Sequence, residues 1–103
     1  MARPISHPKL QDVQLHEIMH ALADPVRLEI VRLAARHPEL PCNRFFDEIP
    51  KSTMSHHWRV LRQAGLIRQV GHGASRLNSL RTKELEERFP GLLAFVLRQR
   101  KTR

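Results

Sequence analysis

Apolar residues recur with two different periods along this chain, and the change of period organises it. Leu15, Ile18, Met19 and Leu22 fall at helical spacing and predict a first helix from about Leu10 to Ala23. Asp24-Pro25 is a helix start, because Asp caps exposed amides and Pro fits the first helical position. Val26, Ile30, Leu33 and Ala34 form the stripe of a second helix, which His37-Pro38 ends. Pro41 reopens a short third helix near Asn43 to Glu48, burying Phe45 or Phe46 together with Ile49. Pro50 breaks it, and Ser52 and Thr53 can cap a fourth helix running to Ala64. In that helix Met54, Trp58 and Leu61 stand at i, i+4 and i+7, so one face is core and Gly65 is placed as a left-handed stop.

Beyond Gly65 the period shortens. Leu66 to Val70 and Ala74 to Leu80 read as two strands around the turn Gly71-His72-Gly73, a β-hairpin. A helical segment from Thr82 to Arg88 follows, and Pro90-Gly91 separates it from a last one. Phe89, Leu92, Leu93, Val96 and Leu97 give that end of the chain a stripe wide enough to face a partner chain as well as the core. Residues 1–9 hold two prolines and little periodicity, so they read as a flexible N-terminal arm before one domain over 10–103. The fold class is mainly α with a small β-hairpin.

Length and composition narrow the function. A chain of 103 residues fits one self-sufficient core. No apolar run reaches the ~20 residues of a membrane helix, and the first residues lack a signal peptide's apolar stretch. The single cysteine, Cys42, excludes an internal disulfide framework and fits a reducing, cytoplasmic setting. No Ser/His/Asp order, carboxylate pair or phosphate loop points to an enzyme. Charge is more telling: 18 Lys plus Arg against 10 Asp plus Glu give a formal +8, and most of the cations are arginine. Between Lys51 and Arg81 lie Lys51, Arg59, Arg62, Arg68, Arg76 and Arg81 and no acid. A localised positive face of this kind is what a polyanion partner requires.

Three ordered motifs carry a family likeness. They are Ala21-Leu22-Ala23-Asp24-Pro25-Val26-Arg27-Leu28-Glu29-Ile30, Ser52-Thr53-Met54-Ser55-His56-His57, and Val60-Leu61-Arg62-Gln63-Ala64-Gly65-Leu66-Ile67. Over about residues 15 to 80 the sequence resembles the ArsR/SmtB family of bacterial transcriptional repressors. The resemblance implies a winged helix-turn-helix that dimerises through its first and last helices and binds a pseudo-palindromic operator on double-stranded DNA. The fourth helix would enter the major groove and the hairpin, as the wing, would touch the backbone. Leu15, Ile18, Met19, Leu22, Phe89, Leu92, Leu93 and Val96 would then form the homodimer interface.

Helix N-terminal residues read base edges in such docking, which nominates Lys51, Ser52, Thr53, Ser55, His56 and Arg59. For Ser52 and Thr53, helix capping and phosphate contact are both open readings. His57 is either a contact or a packed ring. Arg62 lies a turn further on and suits phosphate, as do Arg68, His72 and Arg76 on the wing. The sequence departs from the family where many relatives hold metal. Glu39-Leu40 is followed by Pro41-Cys42-Asn43 rather than a Cys-x-Cys pair, and no histidine follows Lys83. One thiol makes no soft-metal site, so no cofactor is expected. His16 and His20, four apart, and Cys42 leave a metal- or redox-responsive regulator as a variant reading. A winged helix that binds protein instead of DNA is the alternative from another class.

Overall fold

The computed structural model describes residues 5–41, 46–73 and 75–99, with the His72 side chain left aside. Its elements run α1 (Leu15–Leu22), α2 (Pro25–Arg36), β1 (Leu40–Pro41), α3 (Lys51–Gln63), β2 (Ile67–His72), β3 (Ser75–Leu80), α4 (Thr82–Arg88) and α5 (Leu92–Arg98). The three strands form an antiparallel sheet in the order β1-β3-β2. The architecture is a helical core with a short sheet and a projecting hairpin, a winged helix-turn-helix. No helix among the described residues is long and apolar enough to cross a membrane.

Local chemistry sets the helix ends. Asp24 Oδ2 accepts from the backbone N–H groups of Val26 and Arg27 at 2.9 and 3.0 Å, satisfying two amides that α2 leaves open. At the end of α3, Leu66 N–H reaches back to Leu61 O and Gly65 N–H to Arg62 O, both at 3.0 Å. That pair of bonds is a Schellman stop, and it needs Gly65 at φ +84°. The same glycine lets the N-terminal segment close in, because a Cβ there would lie 3.2 Å from Val13 Cγ2 and 3.3 Å from Leu10 Cδ2.

Several expectations change. The helix predicted over Leu10 to Ala23 is a 3-10 turn at Leu10–Asp12 followed by α1. Val13 and Gln14 between them are extended, so that Val13 is buried and Gln14 N–H caps on Glu17 Oε2 at 3.2 Å. Half of the third helix predicted near Asn43 to Glu48, positions 43–45, lies outside the described residues; Phe46 to Ile49 form a turn closed by Ile49 N–H on Phe46 O at 3.1 Å. β1 was not predicted, and its two residues pair with Asn78 and Leu77 of β3.

His7 and Pro8, within the segment that reads as loose, are held by hydrogen bonds. His7 Nε2 accepts from Gln69 N–H at 2.9 Å, and Pro8 O accepts from Arg81 Nη1 at 2.8 Å. Arg88 from α4 donates to the carbonyls of Leu10 and Val13. The core gathers Ile18, Ala21 and Leu22 of α1, Ile30 and Val31 of α2, Met54, Trp58 and Leu61 of α3, with Ile67, Leu85, Leu93 and Val96.

Candidate nucleic-acid interface

Helix α3 separates into two faces. Met54, His57, Trp58 and Leu61 are buried, while Lys51, Ser52, Thr53, Ser55, His56 and Arg59 are exposed. Its N-cap is Pro50, without a side-chain cap. Ser52 and Thr53 therefore do not cap; they lie within the first turn, and their hydroxyls share the exposed face with open backbone amides. A helix beginning this way presents donors and a positive dipole end together.

The buried side of α3 is anchored by charge. Arg27, almost wholly buried, donates from Nε to Ala21 O at 2.6 Å and from Nη2 to His20 O at 3.3 Å. Its Nη1 lies 3.1 Å from His57 Nδ1. A guanidinium only donates, so His57 Nδ1 accepts and the ring is neutral with its proton on Nε2. Burial pushes the His57 pKa below its ordinary value; Asp24, 4.0 Å away, pulls it up and is outweighed with the help of Arg27 and His56. His57 is thus the packed ring of the two readings, and it leaves the exposed set.

The wing brings Arg76 beside α3. Ser55, Arg59 and Arg62 from the helix and Gln69, Ser75 and Arg76 from the strands line an open cleft of ~450 Å³. Arg62 is half-buried and donates from Nη1 to Gln69 Oε1 at 2.9 Å. Burial first, then the charges of Arg76 and Arg59, push its pKa down. Arg68 is differently placed. It is exposed, yet its Nη2 donates to Glu84 Oε1 at 3.0 Å, while Arg81 holds the same carboxylate from Nη2 and Nε at 2.6 and 3.0 Å. Those hydrogen bonds, Arg81's foremost, bring the Glu84 pKa down to about 2. His72 lies on β2 near the wing tip.

The residues named for the dimer interface divide. Ile18, Leu22, Leu93 and Val96 are buried inside this one chain, and Phe89 and Leu92 pack partly against the same core. α1 and α5 are short and spend the first four positions on their own domain's core, while Phe89 and Leu92 keep part of their surface open. Leu15 and Met19 remain exposed at 49% and 48%, and α5 adds Phe95 at 57%. Among the described residues no three His, Cys, Asp or Glu side chains gather as a metal site. His16 and His20 line a shallow hollow with Glu17, Val60 and Gln63; Cys42 is outside the described residues.

Sequence reasoning missed Gln69, Asn78, Glu84 and His7. A signal existed for the first two: each stands two residues from an apolar strand residue on the inward phase, the buried Ile67 or the partly buried Leu80.

Known proteins agree with this architecture. A helix-turn-helix domain family matches residues 22–70. The HTH-type transcriptional regulator YceK of Bacillus subtilis is 35% identical over 89 residues, covering 82% of this chain and 89% of that protein. Another HTH-type regulator, from Methanocaldococcus jannaschii, is 37% identical over 59 residues, 55% of this chain and 66% of its own length. In structure, the transcriptional repressor PagR of Bacillus anthracis aligns over 79% of this chain and 86% of its own, with a TM-score of 0.59 and 22% identity. This chain belongs to the helix-turn-helix family of transcriptional regulators.

Proposed function

We propose that this protein is a sequence-specific transcriptional regulator of the ArsR/SmtB type, acting as a homodimeric repressor on a pseudo-palindromic operator. Helix α3 lies in the major groove, with Arg59 and His56 on base edges, and the wing lies along the backbone. One observation carries the reading: the exposed face of α3 is wholly polar or cationic, adjoins Arg76, and belongs to a stretch from Lys51 to Arg81 without an acid. An α-helix fits the major groove, and cations beside it supply the salt-dependent attraction to phosphate.

Leu15, Met19 and Phe95 support the dimer, as large apolar side chains left open on the terminal helices. Fluorescence anisotropy over a salt series tests the proposal, with duplex from the gene's own upstream region against a scrambled duplex. Much tighter binding to the native duplex is expected, with a steep salt slope. Absence of binding to either duplex at low salt would reject it. Light scattering gives the mass of the free protein, and a monomer at micromolar concentration would remove the homodimer.

A further inference from the structure

Two amides occupy the sheet's core positions. Gln69 and Asn78 are 3% and 1% exposed and stand opposite each other in the β2–β3 register. The backbone N–H of Gln69 donates away from β3, to His7, so this is a pair without mutual backbone bonds, the kind whose side chains approach most closely. Gln69 Nε2 donates to Asn78 Oδ1 at 2.8 Å, and Asn78 Nδ2 donates to Leu40 O on β1 at 2.9 Å.

The direction of this relay is forced. Leu40 O can only accept, so Asn78 turns its nitrogen there and its oxygen toward Gln69. Gln69 must then offer nitrogen to Asn78, which leaves its own oxygen for a donor. Arg62 is that donor, and a guanidinium can do nothing else. Three elements of the sheet thereby fix one arginine of α3. Its companions in the cleft are Arg59 and Arg76, with no carboxylate among the described lining residues. Arg62 Nε is buried with no hydrogen-bond partner among the described residues. Three like charges held together without an acid, one of them immobilised, make a site complementary to an anion.

We propose that the cleft between α3 and β3 receives one phosphodiester group of the DNA backbone, and that Gln69 and Asn78 are positioning residues holding Arg62 ready for it. The inference rests on the DNA-binding reading above. Fixing Arg62 in the free protein lowers the ordering cost of binding, while the relay itself carries no sequence information.

The test is a double-mutant cycle read by anisotropy across salt, with thermal unfolding alongside. Arg62→Ala should weaken native and scrambled duplexes alike, by about tenfold, and lessen the salt slope by about 0.9. Gln69→Leu should weaken both duplexes too, yet add no loss once Arg62 is alanine. Gln69→Leu/Asn78→Leu, which replaces both amides with apolar side chains, guards against misfolding of the single variant and should behave like it. Losses that multiply across Gln69 and Arg62, or an unchanged slope in Arg62→Ala, would overturn the clamp while leaving DNA binding intact. A wild-type protein that binds no duplex would overturn both readings.

Discussion

Arg27 Nη1 meets His57 Nδ1 at 3.1 Å, joining the first turn of α2 to the buried face of α3. Through this contact the helix that faces solvent is oriented by a side chain from elsewhere. Arg27→Leu would leave His57 Nδ1 and Ala21 O without this donor, while His20 O keeps the Ala23 N–H at 3.2 Å. A loss of about 2–4 kcal/mol is expected in urea unfolding.

Acid should loosen the same joint. The folded-state pKa values of His57 and His7 are lowered, chiefly by burial. The unfolded chain therefore binds more protons as pH falls below about 6.5, and linkage makes stability rise with pH across that window. Unfolding midpoints should fall from pH 7.5 to pH 5.5. Substituting His57→Gln should reduce this dependence, and an unchanged slope in that variant would assign it to other groups.

Glu84 works in the same direction in a more acid window, and has a second effect. Its carboxyl is depressed to about 2, so its contribution is present above the ordinary 4.5 and lost as pH falls through the interval between. The carboxylate is 41% exposed, and solvent screening limits Glu84→Gln to a cost of about 0.5–1 kcal/mol. The same change frees Arg68 on the wing. Affinity for all duplexes should rise a few-fold and the salt slope should steepen, measured as binding against salt.

Gly65→Ala combines a left-handed backbone with close approach to Val13 and Leu10. A destabilisation of about 1–3 kcal/mol is expected, since neither neighbour is at the surface. Thermal or urea unfolding would show it.

On the exposed face, Arg59→Ala and His56→Ala should weaken the native duplex more than a scrambled one. Arg76→Ala should weaken both about equally and reduce the salt slope by about one contact. Equal losses on both duplexes for Arg59→Ala would move base reading elsewhere on α3.

The stripes and punctuation of the sequence locate α2, α3, the hairpin and both tail helices, because Asp24-Pro25, Gly65 and Pro90-Gly91 act locally. β1 was illegible: Leu40 and Pro41 have no period of their own and become a strand only by pairing with β3. Periodicity also shows that a stripe is buried but not against what, which is why Ile18, Leu22, Leu93 and Val96 could be read as an interface. The cationic residues of α3 and the wing were legible as charge. Which of them is paired was not, since Arg68 meets Glu84 across sixteen residues and Arg62 depends on Gln69 and Asn78.

The contact between His7 and Gln69 also guards the sheet's open border. β2 is an edge strand, and beyond it stand backbone groups that any extended chain could pair with, next to the exposed Val70. The imidazole occupies one of those donors only while neutral. Mild acid therefore uncovers a template for strand addition, and concentrated protein should turn cloudy by edge-to-edge assembly before its helices melt.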